Sequence, residues 1–206
     1  MRITQRLASV FAKVFICERC LILSAVQEIS MDKYEPKAGD VILMSTQGAG
    51  LFKKLKDWLL GSQWSHVAIF FDHTKHGLPL VIESIGRGVL IRSLLASKER
   101  KLLVLRHVEP QRAVEAAKRA ERLADNPTSW YDYFAIPRYV IPRLVWYKLT
   151  GRRYGFGYRQ NPYFICSELV DTAYNRIIPR ELEPPLPHDF LSVKELRKTW
   201  EGRYLP

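Results

Sequence analysis

The middle of the chain alternates between short apolar runs and clusters of turn-forming glycine, proline, aspartate and asparagine. Runs of this length that are rich in β-branched, leucine and phenylalanine residues are typical of β-strands. The short connections between them favour antiparallel pairing, because parallel strands need a long crossover. The predicted strands cover residues 41–44, 65–71, 80–84, 88–91 and 102–105.

The segment that follows the first predicted strand has the three- and four-residue spacing of an amphipathic helix. Residues 51–60 place Leu51, Leu55 and Trp58 on one face and lysines on the other. Gly61 is expected to end this helix, because glycine readily adopts the left-handed conformation of a helix C-terminus. A short amphipathic helix is therefore predicted between the first two strands.

Two further helical segments follow the last predicted strand. Residues 110–124 begin with proline and stop before an Asn-Pro pair, which is typical of a complete helix. Residues 130–149 carry seven aromatic residues and two prolines, Pro137 and Pro142, which must kink or break a helix. The side chains of the first segment that we expect to face inward are Val114, Ala117 and Leu123.

Cys166 lies where an extended apolar run gives way to a helical pattern. A helix N-terminus carries partial positive charge, which stabilises a thiolate and lowers the pKa of a cysteine placed there. Two alternatives stay open. Asn161 and Pro162 could instead begin the helix and place Cys166 in its second turn, and a lone cysteine is often only a small buried hydrophobe. The apolar face of this helix comprises Leu169, Val170, Ala173, Tyr174 and Ile177.

The first 30 residues have the apolar stripe of an amphipathic helix. Lys13, Glu18 and Arg19 interrupt the apolar core that a signal peptide or an 18-residue membrane span would need. The helix could dock on the protein's own surface or lie in a membrane interface. Its basic residues favour an anionic membrane. We predict this helix over residues 1–30, a linker over 31–38 and a globular domain over 39–206.

The composition is strongly basic, with 32 lysines and arginines against 21 acidic residues and a net charge of +11. This charge predicts an anionic partner, which could be a membrane surface, a nucleic acid or an acidic polymer. Three cysteines in 206 residues do not form a disulfide framework, which favours a reducing compartment. Cys17 and Cys20 form a single C-x-x-C without a second pair, and we interpret them as structural or incidental.

A cysteine nucleophile needs a base within hydrogen-bond reach and a group that orients this base. The strands predicted at 65–71 and 80–84 would form a hairpin with its turn centred near residue 75. Residues paired across this hairpin would then have numbers that sum to about 150, which sets His66 opposite Ser84. A bulge or a one-residue shift would set Glu83 opposite His66. Taken singly, such a histidine and glutamate are more often structural. Their coincidence with Cys166 predicts a triad in which Glu83 orients His66.

Five motifs together resemble the circularly permuted branch of the NlpC-type papain-like cysteine hydrolases, the YiiX/YaeF-like amidases. The resemblance spans about residues 36–195 and keeps the permuted order, in which histidine precedes the acid and cysteine comes near the end. Its most specific part is the Cys-Ser-Glu-Leu-Val run. The motifs are Gly39-Asp40-Val41-Ile42, Ser65-His66-Val67-Ala68-Ile69, Val81-Ile82-Glu83-Ser84, Tyr131-Asp132 and Phe164-Ile165-Cys166-Ser167-Glu168-Leu169-Val170.

This resemblance implies an α+β fold in which a mainly antiparallel sheet packs against helices, and it says nothing about the N-terminal helix. It implies Cys166 as the nucleophile, His66 as general base and then acid, and Glu83 as the residue that orients His66. Tyr131 and Asp132 match a family motif to which we assign no role beyond shaping the site. The implied reaction cleaves an amide or ester, or transfers the acyl group, through an acyl-thioester without a metal or organic cofactor.

The resemblance leaves the substrate open, because members of the wider group act on peptide amides, cell-wall peptides or acyl chains. The positive charge, the amphipathic start and the aromatic stretch 130–147 favour a lipid or membrane-proximal substrate. We expect a cytoplasmic protein, peripheral to a membrane, with secretion left open. The competing hypothesis is a non-catalytic basic module on the same fold that binds a membrane or RNA. RNA is the weaker choice because no RNA-binding motif is present.

Overall fold

The computed structural model of the protein describes the domain that carries the predicted strands. The predicted helix over residues 1–30 lies outside the described residues, and the division of the chain into helix, linker and domain stays a prediction. The sheet and helices belong to a compact unit, Pro36–Pro206. The described residues are 34–48, 50–152, 158 and 161–203.

Antiparallel strands form a single sheet in this part of the chain. The strands are β1 (Val41–Ser45), β2 (Trp64–His73), β3 (Pro79–Ile85), β4 (Gly88–Ser93), β5 (Lys101–His107) and β6 (Leu196–Arg203). Their order across the sheet is β4-β3-β2-β1-β5-β6, and every neighbouring pair is antiparallel. The predicted α+β class with a mainly antiparallel sheet is therefore confirmed.

The helices lie between and after the strands. The α-helices are α1 (Leu51–Leu60), α2 (Pro110–Ala124), α3 (Ile141–Thr150) and α4 (Cys166–Ala173). A π-helical turn, Ile136–Val140, leads directly into α3. Short 3₁₀ helices complete the described chain at Leu94–Ser97, Arg180–Leu182 and Pro187–Ser192.

Helices α2 and α4 pack against each other and against the centre of the sheet. The buried side of α2 consists of alanines, which allow close approach to the strands: Ala113, Ala116, Ala117 and Ala120. Val114 is instead 41% exposed, so the prediction that it faces inward is wrong. The small side chains, rather than the larger valine, determine which side of α2 meets the sheet, because they leave room for the core side chains of β1 and β2.

The Gly39-Asp40 pair anchors the start of β1. Gly39 has a φ of +86°, and a Cβ at this position would overlap the backbone of Ala113. Asp40 is 1% exposed, and both of its carboxylate oxygens accept hydrogen bonds from Arg106, at 2.7 and 2.8 Å. The Tyr174 hydroxyl donates to the Gly39 carbonyl. This motif therefore ties β1 to α2, β5 and the end of α4.

The aromatic stretch becomes helical later than expected. Asp132 Oδ1 accepts the backbone N–H groups of Phe134 at 3.0 Å and Ala135 at 2.8 Å, which caps the turn that leads into α3. The prediction of a helix from residue 130 is wrong, whereas the expected disturbance at Pro137 is present as the π-helical turn. Pro142 is the second residue of α3 and does not break it. Asp132 thus has a structural role as a cap.

Strand β6 was not predicted from the sequence. Its residues are largely polar and exposed, and Leu196 is its one fully buried residue. An edge strand of this kind lacks the apolar alternation by which strands are recognised. Within the described residues, no helix is both long and apolar enough to cross a membrane.

Candidate active site

Cys166 is the first residue of α4, a helix that packs against β2 and β3. Ile165 before it is extended, and the Ile165 N–H donates to the Glu168 carboxylate at 2.8 Å, which fixes the first turn. The alternative start at Asn161 is wrong. Its side chain instead accepts the Tyr163 N–H at 2.7 Å in a turn before the helix.

The extended segment before Cys166 is held on two sides. Phe164 forms a parallel bridge with Tyr131, and its carbonyl accepts a 2.6 Å hydrogen bond from the Ser84 hydroxyl on β3. Asn161 donates to Asp132 Oδ2 at 2.7 Å. The Tyr131-Asp132 motif therefore positions the backbone that presents the cysteine.

His66 and Glu83 are in direct contact across β2 and β3. The His66 Nε2–H donates to Glu83 Oε2 at 2.6 Å. The predicted register is wrong, because paired residues next to this site, such as Ile69 and Ile82, have numbers that sum to 151. Continuing this register sets Glu83 beside Ala68, so the carboxylate reaches His66 diagonally. The two side chains share a face because residues 66 and 68 do.

Glu83 is 4% exposed and has a second cationic partner. Arg92 Nη1 donates to Glu83 Oε1 at 2.8 Å, so both carboxylate oxygens are occupied. Burial alone would raise the pKa of Glu83, but the hydrogen bond and charge of His66, with the charge of Arg92, hold it below its usual range. Glu83 is therefore an anion next to the imidazole.

The Cys166 thiol and the His66 imidazole are close enough for each group to shift the pKa of the other. Because Glu83 occupies Nε2, the nitrogen available to the thiol is Nδ1. Burial lowers the pKa of His66, but the charges and hydrogen bonds of Cys166 and Glu83 outweigh this effect and raise it to about 9. Burial opposes ionisation of Cys166, yet His66 and the backbone N–H groups of Val67 and Ser167 lower its pKa. The thiolate and the imidazolium therefore stabilise each other.

A groove of about 380 Å³ opens beside this pair. Its walls are mostly polar and include the Tyr131 side chain. Burial and the charge of Cys166 raise the pKa of Tyr131 to about 12, so the phenol keeps its proton. The sequence did not predict the other polar groove residues, since they come from separate strands, helices and loops and, apart from Ser65, belong to no motif. They are Gln47, Lys56, Ser65, Arg92, Ser97 and Arg100.

One known protein family matches part of the chain. Residues 35–134 match the family of permuted papain-like amidase enzymes, YaeF/YiiX, the C92 family. This segment contains His66, Glu83 and Tyr131 and ends before Cys166. The match confirms the resemblance that the motifs indicated and supports, at family level, a papain-like hydrolase that acts on amide bonds.

A solved structure agrees with the fold. The crystal structure of metalloprotein YiiX from Escherichia coli O157:H7 is similar over 82% of this chain and 99% of that chain, with 15% identity and a TM-score of 0.50. At this identity the likeness concerns the fold alone. In the described part of the chain, no group of three histidine, cysteine or acidic side chains could hold a metal ion. The curated proteins contained no match.

Proposed function

We propose that the protein is a cysteine amidase in which Cys166 is the nucleophile, His66 the general base and acid, and Glu83 the residue that orients His66. The observation that carries this proposal is the 2.6 Å hydrogen bond that joins His66 to Glu83 beside Cys166, whose pKa His66 lowers. A nucleophile, a base and an orienting acid in this order are the parts that acyl transfer requires.

The reaction follows from these contacts. The thiol proton passes to His66 Nδ1, and the thiolate attacks the carbonyl carbon of the amide. His66 then donates this proton to the leaving nitrogen as the C–N bond breaks, which leaves an acyl-thioester on Cys166. A water molecule that His66 deprotonates attacks the thioester and releases the acid and the thiol. Glu83 stabilises the imidazolium that forms in both halves.

The tetrahedral intermediate needs hydrogen-bond donors for its oxyanion. The Cys166 N–H is in the first turn of α4, where backbone N–H groups have no acceptor within the helix. Tyr131 is the second donor in this proposal, because it lines the groove with Cys166 and its phenol stays protonated. The amide class of substrate is supported by the family, and the polar groove favours a polar amide over a lipid acyl chain. If the acyl group passes to an acceptor other than water, the product is the acylated acceptor instead of the free acid.

Alkylation of the thiol tests this proposal without knowledge of the substrate. We expect iodoacetamide to modify Cys166 rapidly well below pH 8, because the His66 imidazolium stabilises the thiolate. His66→Ala should move the midpoint of the pH profile up towards the ordinary cysteine value of about 8.5. The measurement is the alkylation rate at each pH, with the modified peptide identified by mass spectrometry.

Cys17 and Cys20 are internal references in the same chain. They have no predicted activating partner, so their alkylation should follow the ordinary cysteine profile. An identical pH profile for all three cysteines, or an unchanged Cys166 profile in His66→Ala, would contradict the proposed pair.

We also propose that the enzyme acts at an anionic membrane surface. Helix α1 supports this, because part of its apolar face is exposed, with Leu51 80% and Trp58 60% exposed. The side of the helix that meets the domain carries Leu59 and Leu60, which pack against buried side chains, and Asp57, which accepts hydrogen bonds from Thr46 and Lys53. The predicted apolar face is therefore divided between a packed part and an exposed part.

The apolar side of α1 continues onto α3. The two helices are in contact, and Lys148 Nζ of α3 lies 5.2 Å from the centre of the Trp58 ring. Leu149 is 78% exposed and Trp146 is 42% exposed. Exposed aromatic and aliphatic side chains interspersed with lysines suit the interface of an anionic bilayer. We call the exposed side chains of Leu51, Leu55, Trp58, Trp146 and Leu149 the α1–α3 face.

Vesicle binding tests this second proposal. We expect the full chain to sediment with phosphatidylserine-containing vesicles and only weakly with phosphatidylcholine alone. Replacing both Leu55 and Trp58 by serine should weaken binding by roughly tenfold or more, because their apolar area no longer enters the bilayer. Val114→Ser is the matched control, since it removes an exposed apolar side chain from α2.

The predicted helix over residues 1–30 provides the competing surface. Substituting Val10 and Val14 by serine in the full chain would remove part of its apolar stripe. If this variant loses vesicle binding while the Leu55/Trp58 variant keeps it, the α1–α3 face is not the membrane surface and the proposal is wrong.

A further inference from the structure

The groove beside the candidate nucleophile carries an excess of positive charge. Its cationic side chains besides the imidazole are Lys56, Arg92 and Arg100, and Glu83 is the one acidic residue among the described residues that line it. Glu83 is already bound by His66 and Arg92. Within the groove, Lys56 and Arg100 therefore have no carboxylate that balances their charge.

Arg100 is held in a fixed orientation. Its Nε donates to the Ser45 carbonyl at 2.7 Å, and its Nη2 lies 3.3 Å from the Ser65 hydroxyl and 3.4 Å from the Met44 carbonyl. The guanidinium group is planar, so these contacts also fix the direction of Nη1. Nη1 has no hydrogen-bond partner among the residues that the structure describes. A preorganised donor of this kind suits a carboxylate or phosphate oxygen.

The position of Arg100 is close to the reacting groups. Its charge interacts with those of Cys166 and Glu83. Burial lowers the pKa of Arg100, but both anions oppose this, and an arginine keeps its charge throughout the physiological range. An anion bound to Arg100 would therefore lie next to the atom that attacks the substrate.

A second groove, of about 460 Å³, shares Gln47 and Arg100 with the first, and its other charged residues are Lys53, Lys101, Arg203 and Glu99. Two of them are already paired, Lys53 with Asp57 and Lys101 with Glu201. Among the described residues, Arg100 is the cationic side chain that lines both grooves.

We propose that Arg100, assisted by Lys56, forms a subsite for an anionic group of the substrate, a carboxylate or a phosphate, next to the scissile amide. This inference rests on the proposed function, because it concerns the groove from which Cys166 would attack. It narrows the substrate class from amides in general to amides that carry a negative charge close to the bond that is cleaved.

Two alkylating reagents of nearly the same size test the subsite. Iodoacetate and iodoacetamide both attack the Cys166 thiolate, but only iodoacetate carries a carboxylate. The ratio of their rate constants therefore reports the groove's preference for an anion and cancels changes in thiolate reactivity. We expect Arg100→Gln to lower this ratio about tenfold, in line with the loss of one close charge, and Lys56→Gln to lower it by a smaller factor.

Three controls separate the possible causes. Lys98→Gln removes the same charge two residues away and outside the groove, and it should leave the ratio unchanged. Arg100→Lys keeps the charge but not the guanidinium plane, and it should retain part of the preference. Because Arg100 also binds backbone carbonyls, circular dichroism and thermal unfolding would check the fold, and Lys56→Gln, on an exposed helix surface, tests the same groove independently.

The outcomes distinguish this inference from the proposed function. An unchanged ratio in both Arg100→Gln and Lys56→Gln, with Cys166 still alkylated below pH 8, would overturn the subsite alone. Failure of iodoacetamide to modify Cys166 preferentially would overturn the proposed nucleophile and the subsite together.

Protection experiments distinguish the two anion chemistries. Glutarate or inorganic phosphate is added before iodoacetamide, and the slowing of Cys166 alkylation is measured. Protection by glutarate that is lost in Arg100→Gln identifies a carboxylate subsite, and the same result with phosphate identifies a phosphate subsite. Protection by neither anion in the wild-type protein would contradict the proposal.

Discussion

Replacing Cys166 by alanine is expected to lower the rate of amide hydrolysis by about 10⁴-fold or more, because no other group in the groove can form the acyl-enzyme. The measurement is kcat/KM for N-acyl amino acids, which carry a carboxylate beside the amide, followed by release of the free amine. Cys166→Ser should be almost as inactive, since a hydroxyl near His66 is a far weaker nucleophile than a thiolate.

The double variant Cys166→Ala/His66→Ala provides a sharper form of this prediction. Residues that act as one unit have non-additive effects, so the double variant should be no slower than Cys166→Ala alone. Cys166 is buried in the main core, and unfolding curves must show that each variant is folded. Amide hydrolysis by folded Cys166→Ala protein at the wild-type rate would exclude the proposed mechanism.

Glu83→Gln is expected to lower kcat/KM by about 10²- to 10⁴-fold while leaving the chain folded. The substitution keeps the size of the side chain but removes the charge that stabilises the His66 imidazolium. If Glu83 had only a structural role, the substitution would change the amount of folded protein. If Glu83 positions His66, the substitution must change the pH dependence of kcat/KM.

The direction of the pH change follows from the pair of pKa values. The wild-type rate should rise with pH as Cys166 ionises, below the ordinary cysteine range, and fall as His66 loses its proton at about 9. Without the Glu83 charge, the pKa of His66 falls and the thiolate loses part of its stabilising imidazolium. The acidic limb should therefore move up and the alkaline limb down, so the active range narrows.

Arg92→Gln is the matched control for this experiment. It removes the partner of the other Glu83 oxygen, but the Arg92 side chain is 42% exposed, so solvent weakens its effect on the triad. We expect a change in rate of about fivefold or less and nearly the wild-type pH profile. A Glu83→Gln profile that matches the Arg92→Gln profile would show that Glu83 does not orient the base.

The sequence predicted the core of the fold well because its elements follow simple periodic patterns. Strands β1 to β5, helix α1 and helix α2 were predicted close to their observed bounds, since buried strands and amphipathic helices leave an apolar signature. Strand β6 was missed because a polar edge strand has no such signature. The outward position of Val114 was missed because periodicity does not give the rotation of a helix against its sheet.

The candidate triad was predicted from coincidence and resemblance, but its geometry was not. Hairpin arithmetic gave a register that is off by one residue, and the contact between His66 and Glu83 exists because both lie on the same face and reach diagonally. The shifted alternative, which set Glu83 directly opposite His66, has pairs that sum to 149 and differs from the observed sum of 151 by two. A shift by two residues keeps each side chain on the same face of the sheet, so this alternative placed both side chains on the correct face but in the wrong pairing.

The sequence alone determined that Cys166 would lie close to the start of a helix, that an antiparallel sheet would precede it, and that the chain would be strongly basic. The structure decided that this helix begins at Cys166 rather than near Asn161. Only the tertiary structure decided which cations face the nucleophile. Lys56, Arg92 and Arg100 come from α1, β4 and the turn before β5, and no local pattern links them. Contacts between segments far apart in sequence bring these side chains to one groove. The composition fixes the net charge, but only the folded chain fixes where each charge lies.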